Sequence, residues 1–398
     1  MNSNWDTTNR FILLPELKII THYQLSKFRT FYKCVKDSKF EICPKCASKS
    51  YSVHDRRWVT IQDQPIRGSG IELKIQKRRF RCPECKSVFT EPIPGIRKGF
   101  KTTERFRKGV KWACENFKDL KRVQRAYNCS GWLVYKIFYE QLEIKTRERR
   151  NDCWGTKIGI DEHTWRKRHN SKRCTDFASL IVDHDRGRIA EVVNGKTAAD
   201  LRGQLSYIPG RERVEEVTID MCDPFKKFVK DFFPNAKITA DKFHVLRLIT
   251  PHINRARMEL TGDKRSNPVR KLLLRNRHQL KYFERNALDK WLEEDGHKKI
   301  KELYWVKETL HRFYRTRGIN NAKKAFIKLL DYMALSDLNE IKKLRKTLMK
   351  WKNEILNYFR SRLTNARVEG YNRLAKREQY NAFGVKSFFN YRLRLLNI

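Results

Sequence analysis

No stretch of this sequence comes near the roughly 18 to 20 consecutive apolar residues that span a bilayer. The longest candidates, such as Phe11 to Leu14, are interrupted almost at once. Met1 to Arg10 are polar and include Asp6, so an apolar signal core is lacking there, and the expectation is a cytoplasmic protein with no membrane partner. Solenoid repeats and low-complexity tracts are also missing. Acidic side chains are in short supply: 45 Asp plus Glu face 88 Lys plus Arg, leaving a net charge of +43. That imbalance excludes an ordinary metabolic enzyme as the default. Because the basic surplus runs along the whole chain, it calls for a polyanion engaged over a wide surface, with nucleic acid first and a membrane surface second. Length and composition, 398 residues of which 40% are hydrophobic, allow two or three domains with real cores.

Four textures divide the chain. Residues 1–95 are short-stranded and Cys-bearing, with alternation at Ile71 to Ile75 and turn residues at Gly68, Gly70 and Pro92. Residues 96–150 turn helical, broken at Asn128-Cys129-Ser130. Residues 151–250 alternate β-branched and aromatic runs with a helix: Lys157 to Ile160, Phe177 to Val182, Ile189 to Val193, then helical Ala198 to Leu205, then Val214 to Met221 and Ala236 to Thr239. This is an α/β sheet of five strands. Residues 251–362 are helical and densely charged, and 363–398 hold one more helix and a basic, aromatic tail.

Ten cysteines would suit a small secreted disulfide scaffold, but only four of them are paired. Cys43-Pro44-Lys45-Cys46 and Cys82-Pro83-Glu84-Cys85 have the two-residue spacing that brings both sulfurs of a knuckle to one ion. The expectation is one structural Zn²⁺, closed and therefore not catalytic, that contributes folding free energy to a module too small to stand alone. His54 is a substitute ligand of lower merit. Cys34, Cys114, Cys129, Cys153, Cys174 and Cys222 show no ligand spacing and read as ordinary small residues.

Leu120 to Tyr127, the break, and Ser130 to Gln141 outline a helix-turn-helix whose second helix Ser130 would cap. On this reading Trp132, Tyr135 and Lys136 face a DNA groove. Lys121, Arg122 and Arg125, with Lys101, Arg105, Arg107, Lys108 and Lys111, meet phosphates. Simple helix packing in a basic protein is the competing explanation.

Three acids stand out in the α/β region. Asp161, in Gly159-Ile160-Asp161-Glu162-His163, and Asp220, in Val217-Thr218-Ile219-Asp220-Met221, each close an apolar strand, where an unpaired charge is costly. If the first and fourth strands are neighbours, both carboxylates leave one end of the sheet, as hard divalent cations require. Glu369 sits in Asn365-Ala366-Arg367-Val368-Glu369-Gly370-Tyr371-Asn372, where helical spacing puts Asn365 and Asn372 on its face. Asp241, in Ala240-Asp241-Lys242-Phe243-His244, and Asp223 are competitors, and a salt-bridge role is the alternative for any acid in so basic a chain.

Assembled, these motifs resemble those of bacterial insertion-sequence transposases of the ISL-three type, from the Cys43 knuckle to the C-terminus. The resemblance implies an RNase H-like catalytic domain interrupted by an all-α insertion, behind a zinc-binding module and a helix-turn-helix. It places an Asp, Asp, Glu triad on Asp161, Asp220 and Glu369, holding two Mg²⁺ (or Mn²⁺) ions for in-line displacement at DNA phosphodiesters. Asp161 would bridge both ions, while Asp241, His244, Asn365 and Asn372 support the site or meet phosphate. The implied partners are double-stranded DNA at the element's terminal inverted repeats and at the target, and a second copy of the chain, since two ends must be joined. A non-catalytic zinc-containing DNA-binding protein is the rival, and an RNA-processing nuclease a second. Cys222 and Pro224 after Asp220 depart from the expected small or polar residues.

Overall fold

A computed structural model describes residues 14, 16–26, 28–117, 119–149, 152–167, 175–262, 268–382 and 384–398. The expectations on Met1 to Arg10, on Phe11 to Leu13 and on Cys174 lie outside the described residues. Residues 1–145 with 381–384 form one compact unit, and 146–380 with 385–398 form a second.

The first unit is built on β1 (Leu17–Ser26), β2 (Arg29–Lys36), β3 (Glu41–Ile42), β4 (Lys49–Ser50), β5 (Val53–Ile66), β6 (Ser69–Arg81) and β7 (Val88–Thr90). The main sheet has the order β1-β2-β6-β5 with β7 also on β6, while β3 and β4 pair separately. Period-two alternation along β6 buries Ile71, Leu73 and Ile75 against Cys34 and Ile61 and leaves Glu72 and Lys74 half-exposed. The β5–β6 hairpin closes between Ile66 and Ser69 on Arg67 and Gly68, both at positive φ (50° and 79°), a conformation that explains the glycine.

Three helices follow. Thr103 caps Glu104–Asn116 by accepting from Phe106 N, and Asp119 caps Leu120–Ala126 through Lys121 N. Ser130 Oγ accepts from Leu133 N at the start of Gly131–Glu148, which runs seven residues beyond the expected Gln141. One expectation fails here. Arg107 is buried, paired with Glu140 and lying 4.8 Å over the Phe100 ring, so it ties helices together and does not face phosphates. Arg105 is likewise engaged by the buried Asp63.

The second unit contains β8 (Lys157–Lys167), β9 (Thr175–Asp183), β10 (Arg188–Asn194), β11 (Glu216–Ile219) and β12 (Lys237–Ala240) in the order β10-β9-β8-β11-β12. Strands β8, β9 and β10 are antiparallel neighbours, and β11 joins β8 and β12 in parallel. Helices Ala198–Leu205 and Asp223–Phe232 lie in the connections around β11. Strand β8 is longer than its apolar run suggests. It continues to Lys167 because β9 keeps pairing with it, whereas β11 leaves at the Ile219↔Ile160 pair. Asp161 is therefore within β8, at the point where its parallel neighbour ends.

Alternation sorts the two faces of this sheet. Ile158, Ile160, Val217, Ile219, Ile238 and Ala240 enter the large core shared with Leu201, Phe225 and the helical block. On the opposite face, Leu180 and Val182 pack with Val368 and Ala375 of helix Ala366–Asn381 and with Tyr391 of helix Phe388–Leu396. The block between β12 and Ala366 is helical, from Thr250–Thr261 to Lys352–Ser361, with no strand among the described residues. Its stripe of Leu303, Val306, Leu310 and Phe313 is buried. It ends at Arg362, held at φ 60°, which donates to the carbonyls of Tyr314 and Thr316 and lies over Tyr358 and Phe359. This left-handed residue turns the chain back to the sheet. Among the described residues no helix is long and apolar enough to cross a membrane.

Candidate active site

Three parallel neighbours set the geometry. Ile160, Ile219 and Ala240 share one register row across β8, β11 and β12, and the next residue of each chain is an aspartate: Asp161, Asp220 and Asp241. Alternation along β8 points Asp161 away from the large core toward Asn372 of helix Ala366–Asn381, Asp241 meets Asn365 at the start of that helix, and Asp220 meets His244.

Asp161 is buried, with Oδ1 accepting from Glu162 N (2.8 Å) and Oδ2 accepting from Asn372 Nδ2 (2.6 Å). Burial, and then the charge of Asp220, push its carboxyl up to about 7. Asp241 is fully buried and caps helix Lys242–Arg247, accepting from the backbone of Phe243 and His244 and, on its other oxygen, from Asn365 N (3.0 Å). Burial alone would raise this carboxyl. The hydrogen bonds from His244, from Asn365 N and from His244 N outweigh it and hold Asp241 below the usual range.

His244 Nδ1 donates to Asp241 Oδ2 (3.0 Å) and lies 2.9 Å from Asp220 Oδ1. Hydrogen bonding to Asp220 and then to Asp241 raises the imidazole to about 10, so it is a cation at neutral pH. Donor atoms of Asp220, Asp241 and His244 all lie within 4.8 Å of one another, close enough to share a metal ion. Asp220 and His244 open onto a cleft of about 260 Å³ lined also by Glu162, Met221, Cys222 and Phe225.

Helix Ala366–Asn381, which a second helix follows at Phe388–Leu396 where only a tail was expected, is fastened to this row by the fully buried Asn365. Its backbone N–H reaches Asp241, its Nδ2 donates to the Ile160 carbonyl (3.2 Å), its Oδ1 accepts from Thr218 Oγ1, and its carbonyl accepts from Glu369 N (2.8 Å). Val368, Asn372 and Ala375 face the sheet at helical spacing. Glu369 stands one turn before Asn372. Its Oε1 is buried with no hydrogen-bond partner, and its Oε2 lies 4.0 Å from Arg373.

Gly159 permits this close approach. A Cβ there would lie 2.4 Å from Val368 Cγ2 and 2.6 Å from His184 Nε2. Gly159→Ala is therefore expected to push the helix carrying Glu369 off the sheet, at about 1–3 kcal/mol. A melting temperature equal to wild type would contradict this.

Of the two competitors, Asp241 joins the cluster and Asp223 does not: it is exposed and paired with Lys350 (2.5 Å). Thr218, Gly159, His163 and Tyr391 at or near the site escaped the sequence reading. Gly159 and Thr218 carried a usable signal, since each breaks an apolar strand one residue before its last hydrophobic position.

In the first unit the sulfurs of Cys43, Cys46, Cys82 and Cys85 all lie within 4.8 Å of one another, and none of the four is in a disulfide. The pairs Cys43–Cys85 and Cys46–Cys82 are 3.6 and 3.4 Å apart. Tetrahedral zinc with bonds of ~2.3 Å separates its sulfurs by about 3.8 Å, so the set fits that ion. The two knuckles are twins. Each reads Cys-Pro-x-Cys-x-Ser, with positive φ at Ala47 (58°) or Lys86 (57°). Each serine hydroxyl reaches across or along the cluster, Ser48 to Cys82 (2.9 Å) and Ser87 to Cys85 (2.9 Å). The hydrogen bond from Ser87 is the main cause that lowers Cys43 to about 6, and Ser48 likewise lowers Cys82. The repeated serine was visible in the sequence as part of a six-residue repeat. His54 is exposed and lies outside the cluster. Lys121, Arg122, Arg125, Trp132, Tyr135 and Lys136 are all exposed, and Lys136 Nζ sits 4.8 Å over the Trp132 ring.

Comparison with known proteins agrees with this arrangement. Residues 39–85 match the zinc-finger of the transposases of IS204, IS1001, IS1096 and IS1165. Residues 158–395 match the ISL3 profile described as transposase. The transposase for insertion sequence element IS1001 of Bordetella parapertussis is 22% identical over 362 residues, covering 88% of this chain and 86% of that protein. The transposase for insertion sequence element IS1557 of Mycobacterium tuberculosis is 26% identical over 234 residues, 56% of this chain and 49% of that protein. These similarities define the class as transposase. Because the profile spans more than half of it, the chain belongs to the ISL3 family of transposases.

Proposed function

We propose that this chain is a DDE transposase that cleaves and joins DNA strands at the terminal inverted repeats of an insertion sequence. Its catalytic domain is RNase H-like, a reading supported by three antiparallel strands followed by two parallel ones on the far side of β8. Asp161, Asp220 and Glu369 are its catalytic acids. The observation that carries this reading is a row of aspartates at one sheet position, with Asp161 tied by Asn372 to the helix that bears Glu369, whose Oε1 is buried and unpartnered. Such crowding of negative oxygens in a water-poor place is unfavourable unless a cation joins them.

Asp161, Asp220 and Glu369 would hold two Mg²⁺ or Mn²⁺ ions, which supply Lewis-acid polarisation of the phosphodiester and a nucleophile at neutral pH. The protein's own part is positional. Asn372 and Glu162 N hold the Asp161 carboxylate, Asn365 holds the Glu369 helix against the sheet, and the protonated His244 offsets Asp220 and Asp241. In the first unit, the four-cysteine module and the helix-turn-helix formed by Leu120–Ala126 and Gly131–Glu148 bind the element's ends. Lys121, Arg122 and Arg125 contact phosphates there, and Trp132, Tyr135 and Lys136 lie on the groove side. A homodimer or larger assembly brings two ends together. The test is nicking of a duplex carrying the terminal repeat: cleavage that requires Mg²⁺ or Mn²⁺ is expected, and cleavage unaffected by chelation would refute the reading.

The raised Asp161 carboxyl gives a pH dependence. Its folded pKa, about 7, lies above the unfolded value of about 3.9. Its contribution to the stability of the metal-free fold is thus fully present below about pH 4 and is lost as pH rises toward 7. Ionised Asp161 is also the form that binds metal. Mg²⁺ should therefore raise the melting temperature more at about pH 8 than at about pH 6. Equal increments at both pH values would argue against Asp161 as a ligand.

A further inference from the structure

We propose that Tyr391, His163 and Asn372 form a hydrogen-bonded chain that fixes the orientation of the Asp161 carboxylate, so that the last helix acts on the aspartate row as a positioning element. The proposal rests on the assignment of Asp161 as a metal ligand. His163 follows Asp161 by two residues on the same face of β8 and is buried. Its Nε2 lies 2.5 Å from the Tyr391 hydroxyl. Tyr391 is fully buried, and its ring stacks on Trp165 with centroids 5.7 Å apart and planes at 19°. On the other side, Asn372 donates from Nδ2 to Asp161 Oδ2 at 2.6 Å. His163 Nδ1 and Asn372 Oδ1 are both buried and neither makes a hydrogen bond, so the link between them is the one the proposal supplies; Asn372 is the hydrogen-bonding side chain that acts on His163.

Donor counting then fixes every link. Asn372 turns its NH₂ toward Asp161 Oδ2, the orientation that a metal-holding carboxylate, which only accepts, also requires. Its carbonyl is left facing His163 and needs a donor, which only Nδ1–H can supply. A neutral imidazole carries one N–H, so Nε2 must accept, and the Tyr391 hydroxyl is the donor it meets. A small rotation of the amide aligns the remaining pair. Without the phenol, His163 is free to move its proton to Nε2. The bare Nδ1 then opposes the Asn372 carbonyl, and a flipped amide would set its oxygen against Asp161.

Tyr391→Phe in the full-length chain removes the hydroxyl and keeps the stacked ring. Imidazole ¹⁵N shifts of His163 in the metal-free wild type should show Nδ1 protonated and Nε2 accepting, and in Tyr391→Phe they should move toward the Nε2–H form. The Mg²⁺ concentration for half-maximal cleavage should rise about tenfold, with the KM for DNA unchanged. His163→Asn, which retains an N–H near the Nδ1 position, should cleave better than His163→Leu. An Nε2–H tautomer in the wild type, or a Mg²⁺ response untouched by Tyr391→Phe together with equal rates for the two His163 variants, would overturn the proposal. If Tyr391→Phe does not fold, the wild-type tautomer and the His163 pair decide. Normal cleavage by Asp161→Asn would instead overturn the metal-ligand assignment on which the chain depends. A dead Asp161→Asn with an unchanged tautomer removes the positioning chain alone.

Discussion

Asp161→Asn is expected to lower DNA cleavage by on the order of a thousandfold, about 4 kcal/mol of transition-state stabilisation, while binding to the transposon ends stays within a few fold. The substitution is nearly isosteric. An asparagine oxygen can still accept from Glu162 N, while its NH₂ would oppose the Asn372 amide, so one hydrogen bond is lost together with the negative charge that would hold cations. Folding should not suffer, since the carboxyl that burial and Asp220 push up is replaced by a neutral group. The lost Asn372 bond and the relieved carboxyl oppose each other, so the melting temperature of the metal-free variant should stay within a few degrees of the wild type. On the proposed assignment end-binding rests on residues of the first unit, and it should persist. A variant that cleaves and joins ends at the normal rate would remove Asp161 from the chemistry.

Cys82→Ser is expected to release the bound zinc, unfold the module around the four cysteines and abolish sequence-specific binding. Cys43 and Cys82 are buried with Phe80 and Phe89 in a cluster too small to hold the two knuckles without an ion. Zinc binding by such modules is worth about 10–16 kcal/mol, more than a cluster of this size can replace. Proteolysis should then cut between residues 40 and 90 while the β8–β12 sheet, which has its own core, stays protected. Chelation of the wild type should give the same pattern. Loss of zinc without loss of specific binding would separate the knuckles from end recognition.

The elements with a strong local signal were readable in the sequence. The Cys-Pro-x-Cys pairs, the alternation of Ile71, Leu73 and Ile75, and the apolar runs of the α/β region each carry a pattern that short-range sterics and burial dictate. What escaped depends on partners distant in the chain. Strand β8 extends through Glu162 to Lys167 because β9 pairs with it, and no apolar periodicity marks that stretch. Arg107 read as a surface cation, since its burial follows from Glu140 and Phe100. In the candidate site, apolar strands ending in aspartate announced carboxylates at one sheet end. The closeness of Asp241 and His244 to Asp220 required the parallel register of β11 and β12. His163 and Tyr391 lie 228 positions apart, and nothing local in either segment joins them.

The central claim is that cations sit among Asp161, Asp220 and Glu369. Anomalous diffraction from crystals of the full chain grown with Mn²⁺ and terminal-repeat DNA tests it most directly. Manganese peaks within bonding distance of all three carboxylates are the expected result. A lone peak held by Asp220, Asp241 and His244, with Asp161 and Glu369 left unliganded, would contradict it.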